Sequence, residues 1–260
     1  MKILLFSDLH YFGGDVATAR FDPEKKLVRY AMPMLEELIR IANEEYRPDL
    51  CVNLGDLIQD DYDLEKDLAV FAQAHRKLGE FACPCQTVLG NHDLKMMDSI
   101  EQLQPIVGNV ASRSMDVQGV HLVFLQPQLR PELGIRRGGC YKTQYISGET
   151  MAWLEKDLAE NKLPALVFLH FPLSEDATVE DECLFLKNRA EVKAVLKKAP
   201  NLLGVFAGHQ HAPRYFLEDG VDYFLASSLL PGVDQPWGEY LEIEVLGGKL
   251  QVTRKNIPIA

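Results

Sequence analysis

Five short groups of aspartate, asparagine and histidine punctuate this chain, each directly after a run of apolar residues. They are Asp8-Leu9-His10, Gly55-Asp56, Gly90-Asn91-His92-Asp93, His170, and Gly208-His209-Gln210-His211. Imidazoles mixed with carboxylates suit Zn, Fe, Mn or Co, whereas an all-oxygen set would suit Ca or Mg. Asp8 and His10 are i and i+2, and so are His209 and His211; on extended segments each pair would point to one side and chelate one ion. A glycine ahead of Asp56, Asn91 and His209 lets the backbone turn sharply and crowds side chains together. One carboxylate shared by two ions would hold them ~3.5–4 Å apart, the spacing of two-metal hydrolytic sites. Five of the seven histidines fall in these groups. His75, in a helical stretch, and His121, in a hairpin, read as structural or solvated.

The elements that must position these groups alternate through the first half. Lys2–Ser7 reads as a buried strand, Pro23–Glu45 as a helix with apolar residues at helical spacing, and Leu50–Leu54 as a second buried strand. A helix over Leu64–Glu80 and a strand over Gln86–Leu89 follow, which implies α/β units with helices covering a sheet. Beyond them the pattern predicts a hairpin over Ser114–Leu125 turning at Gln118-Gly119, and a helix over Ser147–Asn161 with Ser147 as N-cap. Ala165–Leu169, Leu202–Ala207 and Tyr223–Ala226 read as strands and Asn188–Lys198 as a helix. A terminal hairpin pairs Tyr240–Val245 with Lys249–Arg254 through Gly247-Gly248. Every motif lies at a strand end, the rim where open α/β sheets bind ligands.

The 260 residues carry 47% hydrophobic and 25% charged residues, an ordinary globular composition, and no linker or repeat divides them. A single domain over 1–260 is therefore expected. A formal net charge of −11 argues against nucleic acid polymers and anionic membranes as partners, while bound cations could still invert the potential of an acidic cleft. No apolar run reaches the ~20 residues of a membrane span, and the first residues lack a secretory h-region, so a cytoplasmic location is expected. Five cysteines lack the density of a disulfide scaffold, and most read as small buried hydrophobes; Cys83-Pro84-Cys85 points only weakly to redox or soft-metal chemistry, since its spacing is not that of the usual two-Cys metal or redox motifs.

Taken together, D-x-H, G-D, G-N-H-D, H and G-H-x-H resemble the calcineurin-like metallophosphoesterase superfamily, in its order and at compatible spacing from Asp8 to His211. The resemblance implies a four-layer αββα sandwich of two mixed sheets flanked by helices. It assigns Asp8, His10 and His211 to a first metal, Asp56 to a bridge, and Asn91, His170 and His209 to a second metal, with His92 beside the reacting phosphate as the catalytic group. The cofactors would be two divalent or trivalent transition-metal ions, Mn, Fe, Zn or Co, and a bridging hydroxide would attack phosphorus.

Two positions depart from the protein Ser/Thr phosphatase branch, where an Asp three residues past the bridging one precedes an Arg. Here Gln59 and Asp60 stand there, so the Asp that would orient His92 is missing from its expected place, where Asp60 next door could substitute, and the phosphate-gripping Arg is absent. The surroundings of the motifs look more like the small bacterial branch of phosphodiesterases and ADP-ribose diphosphatase-like proteins. A small, nucleotide-like phosphorylated substrate is expected, with phosphodiester or phosphoanhydride hydrolysis. A phosphomonoesterase with the same metals and a noncatalytic metal-binding scaffold are the alternatives. Asp60-Asp61 and the run Asp63–Asp67 read as a solvated loop and helix start, and the acidic stretch Glu175–Glu182 as a solvated loop or lid. Arg189 reads as a surface charge, and Tyr11, Phe12 and Tyr141 as packing residues or base-stacking platforms.

Overall fold

A computed structural model describes residues 1–16, 27–129, 145–173, 185–233 and 235–259. Two sheets pack face to face. The first runs β11 (Lys249–Pro258), β10 (Trp237–Leu246), β1 (Lys2–Phe6), β2 (Leu50–Asn53) and β3 (Cys85–Thr87). The second runs β4 (Arg113–Val117), β5 (Val120–Phe124), β6 (Ala165–Phe168), β7 (Leu202–Ala207), β9 (Val221–Leu225) and β8 (Arg214–Glu218). Both are mixed: β1, β2 and β3 are parallel, as are β5, β6, β7 and β9, with antiparallel strands at the margins.

Strand alternation builds three cores. Leu4 and Phe6 of β1 face helix α1 (Ala31–Arg40) and helix α2 (Leu64–Leu78), while Ile3 and Leu5 face the second sheet. Between the sheets, Phe124, Phe168, Phe206 and Phe224 stack across neighbouring strands with centroids 5.3, 5.5 and 5.0 Å apart. Ala165 and Val167 of β6 face outward onto α4 (Gly148–Glu160) and α5 (Arg189–Leu196), α3 being the short turn Asn91–Leu94. Three cores separate four layers, so the molecule is the expected αββα sandwich.

Most elements lie where the periodicity predicts them. Asn161 ends α4 and the Ser147 side chain caps its start, accepting from the Thr150 N–H at 3.1 Å. Gln118 and Gly119 turn the β4–β5 hairpin with φ of 48° and 78°. The described part of the Pro23–Glu45 helix begins as a 3-10 turn at Val28–Tyr30 and ends as a π-helical segment, Ile41–Tyr46. Strand β8 escaped the pattern although Asp219-Gly220, the hairpin turn that follows it, has φ of 51° and 80°. Among the described residues no helix is long and apolar enough to cross a membrane.

Parallel strands point their carboxyl ends the same way. That geometry brings the segments after β1, β2, β3, β6 and β7 to one rim of the sandwich.

Candidate metal centre and catalytic cleft

The rim gathers all eight expected side chains. Among the described residues, three sets of ligand atoms converge: Asp8, His10 and His211; His10, Asp56 and His92; and Asp56, His170 and His209. Asn91 joins the third set through its Oδ1, 3.2 Å from His170 Nε2.

Local backbone conformation aims these groups. Asp8, His10, Asp56, His209 and His211 have φ of 56°, 49°, 51°, 72° and 53°. Left-handed conformations of non-glycine residues are strained and are retained where surrounding structure holds them. The i, i+2 pairs therefore do not sit on extended chain, as their spacing suggested. Each pair converges because both of its members bend into the left-handed region. The glycines also differ in their work. Gly55 does turn, with φ of 108°, and a Cβ on it would lie 2.5 Å from the Gly90 nitrogen. Gly90 itself is extended; any Cβ there would collide with Asp56, so it serves close approach rather than turning.

Polar contacts hold the rim rigid. Asp93, to which the sequence assigned no role, accepts backbone hydrogen bonds from Asp56 (2.9 Å), Gly90 (2.9 Å) and Ile58 (3.2 Å). Ser228 donates its hydroxyl to the Asp8 carbonyl at 2.6 Å, and Ser227 to the His211 carbonyl at 2.9 Å. These serines follow β9 and carry no motif that would have singled them out.

The donor chemistry fits cations. His170 Nδ1 lies 2.9 Å from the Leu54 carbonyl, which fixes the proton there and turns the lone pair of Nε2 toward Asn91 Oδ1 and Asp56 Oδ2, at 3.2 and 3.5 Å. Acceptors facing acceptors require a positive charge between them. Likewise His10 Nε2 and His211 Nε2 meet at 2.9 Å, with Asp8 Oδ1 3.3 Å from the latter. Asp8 Oδ1 is buried and, among the described residues, receives no hydrogen bond. A cation bound by Asp8, His10 and His211 would satisfy all three.

Electrostatics point the same way. Burial would raise the carboxyls of Asp8 and Asp56, yet the surrounding imidazoles, His211 for Asp8 and His170 for Asp56, hold both below the usual range. Burial would lower His170, but Asp56 pushes it up to about 9, so in the absence of a cation a proton on Nε2 supplies the positive charge that faces Asp56. Burial and the neighbouring Asp56 charge push Asp93 up to about 7.

His92 stands at the edge of the cluster, its ring 4.8 Å from that of His10. Its Nδ1 lies 2.5 Å from Asp60 Oδ1, and the Gln59 amide lies 3.3 Å from the same nitrogen. Asp60 is fully buried and paired with Lys95 Nζ at 3.2 Å, and Lys95 is itself only 3% exposed beneath the Tyr62 ring. Burial opposes ionisation of Asp60, but His92 and Lys95 hold its carboxyl below the ordinary range. Asp60 thus occupies the place expected of a substitute orienting group. Lys95 was missed, because a lysine just after a motif carries no signal that separates it from a surface charge.

Some of these readings change and others hold. Asp60 and Asp67 are buried rather than solvated, the Asp67 carboxylate accepting from the Asp61 N–H at 2.8 Å, whereas Asp63 is the half-exposed N-cap of α2. Arg189 is half-buried, its guanidinium stacked 5.3 Å from the Phe185 ring. Phe12 packs into the core under α1 and α2. His121 is structural, held between Asp116 (2.6 Å) and Asp157 (2.8 Å). Tyr141 and the acidic stretch 175–182 lie outside the described residues.

Known proteins resemble the chain along these same motifs. The family model described as calcineurin-like phosphoesterase matches residues 1–213. A glycerophosphodiester phosphodiesterase of Enterobacter lignolyticus is 26% identical over 64% of this chain and 56% of its own length. A "Probable cyclic nucleotide phosphodiesterase" of Fibrobacter succinogenes is 28% identical over 88% of this chain and 80% of its own. The chain thus spans little more than half of the first relative. In fold, a dimetal phosphatase from Danio rerio superposes with a TM-score of 0.78 at 14% identity, over 99% of this chain and 96% of that one. With its five motifs assembled on one rim and the family model matching most of its length, this chain belongs to the calcineurin-like phosphoesterase family.

Proposed function

We propose that the chain is a dinuclear metal-dependent hydrolase of phosphodiester or phosphoanhydride bonds in a small nucleotide-like substrate. One observation carries the reading: Asp56 Oδ2 lies 3.9 Å from His10 Nε2 and 3.5 Å from His170 Nε2, so one carboxylate reaches both imidazole sets. Asp8, His10 and His211 would hold one ion and Asn91, His170 and His209 the other, with Asp56 within reach of both sets. Mn, Fe, Zn and Co all suit these ligands. Such ions supply Lewis acidity to a phosphoryl group and make water nucleophilic at neutral pH.

The chain's own groups do the rest. His92 donates from Nδ1 to Asp60, which leaves Nε2 to stabilise charge on the phosphoryl group or to deliver a proton to the leaving oxygen. Lys95 keeps Asp60 ionised and fixed, and Asp60 keeps the His92 ring in one orientation. The acidic balance of −11 disfavours a polyanion as substrate, and the two relatives described above are phosphodiesterases by name.

Metal-depleted protein reconstituted with Mn²⁺ and assayed on bis(p-nitrophenyl) phosphate, p-nitrophenyl phosphate, cyclic AMP and ADP-ribose tests the proposal. Preference for diesters or the anhydride is expected. Preference for the monoester would overturn the substrate class, and inactivity with two ions bound would indicate a noncatalytic scaffold.

A further inference from the structure

On the helix-covered face of the first sheet, three thiols sit at the base of neighbouring strands, at the ends opposite those that lead to Asp56 and Asn91. Cys51 lies in β2 opposite Cys85 of β3, and the Cys51 N–H donates to the Pro84 carbonyl at 2.9 Å. Cys83, two residues before Cys85, folds back so that its sulfur lies 3.4 Å from that of Cys51. Cys51 is buried in the core beneath α1 and α2, whereas Cys83 is partly exposed between exposed Ala82 and Pro84. One thiol is therefore reachable from solvent and the other waits directly behind it. We infer that Cys51 and Cys83 form a redox modification site, closing to a disulfide when the protein meets a peroxide.

The two sulfurs are not equivalent. Cys83 is the sulfur open to solvent, and the contact between the two sulfurs lowers its thiol below the ordinary range, while the same contact together with burial raises Cys51. Cys83 is then the group that reacts first. Its thiolate attacks the peroxide O–O bond, giving a sulfenic acid and releasing the second oxygen as water once protonated. Cys51 sulfur then attacks the Cys83 sulfur, the S–S bond forms, the S–O bond breaks and a second water leaves carrying the Cys51 proton. Two thiols and one peroxide become one disulfide and two waters, with the peroxide as the two-electron oxidant. The S–S bond requires the sulfurs to approach from 3.4 Å to about 2.05 Å.

Closure would tie β2 to the segment entering β3, the two strands whose far ends present Asp56 and Asn91. It would also close a long loop through α2, which stabilises chiefly by restricting the unfolded chain.

Full-length protein carrying Cys140→Ser and Cys183→Ser, treated with hydrogen peroxide and alkylated, tests the inference by non-reducing peptide mapping. A Cys51–Cys83 cross-linked peptide is expected, reversed by dithiothreitol and accompanied by a rise in Tm of roughly 5 °C or more. Cys83→Ser should abolish the cross-link, whereas Cys85→Ser should leave it. A Cys83–Cys85 linkage, or Cys83 driven to sulfinic acid with Cys51 still reduced, would overturn it.

Discussion

Asp60 Oδ1 lies 2.5 Å from His92 Nδ1, and that contact places a buried carboxylate behind the imidazole that faces the metal ligands. The pair stands on a further support, since Lys95 Nζ lies 3.2 Å from both Asp60 carboxylate oxygens. A buried carboxylate without its cation would be costly, so the three residues act as one unit.

That unit predicts a graded loss. His92→Ala should cut turnover by about 10²-fold or more while leaving metal content near normal. Asp60→Asn and Lys95→Met should each lower kcat by about 10–100-fold with KM little changed, because they act through the imidazole. Lys95→Arg, which keeps a cation, should recover part of the loss. Metal loss in His92→Ala equal to its activity loss would show His92 to be a ligand instead.

Gly55 predicts a backbone effect on the metal centre. Its φ is 108°, and a Cβ would approach the Gly90 nitrogen to 2.5 Å and His170 Nδ1 to 2.9 Å. Gly55→Ala should destabilise by about 2 kcal/mol or more and lower the bound metal, measured by urea unfolding and elemental analysis. Gly108→Ala is the control: φ is 80°, but nothing lies within 4 Å of its Cβ. It should cost about 1 kcal/mol and leave metal content unchanged.

Asp67 predicts a pH signature of stability. Burial raises its carboxyl to about 6 from an ordinary value of 3.8. The folded state therefore holds this proton more tightly than the unfolded chain. Its contribution favours folding below pH 3.8 and is lost as pH rises through 6. Asp67→Asn keeps an oxygen for the Asp61 N–H and removes the charge. Its Tm should exceed that of the parent by about 2 °C or more at pH 7.5, with the gap closing toward pH 4.5. An offset independent of pH would contradict the assignment.

What the sequence could reveal follows from what each residue must do. Asp8, His10, Asp56, Asn91, His170, His209 and His211 were legible because ligand chemistry admits few residue types, and strand ends mark where ligands gather. Their conformation was not legible. Left-handed backbone at five non-glycine residues is imposed by long-range contacts such as the Ser228 hydroxyl on the Asp8 carbonyl. Asp93, though it closes the G-N-H-D motif, acts through backbone amides, a role that ligand chemistry does not mark, and nothing in the neighbours of Lys95 distinguishes it from a surface charge. The sandwich itself came from the resemblance, since period-two apolar runs show that strands are buried but not which sheet each one joins. Strand β8 was missed because Arg214–Glu218 is an edge strand half open to solvent, with little apolar alternation to mark it.

The most direct test of the shared-carboxylate centre is electron paramagnetic resonance of protein reconstituted with Mn²⁺, combined with elemental analysis. Two ions per chain with an exchange-coupled signal are predicted, and Asp56→Ala should lose the coupling together with hydrolysis. A single ion, or two magnetically independent ions in an active enzyme, would contradict it.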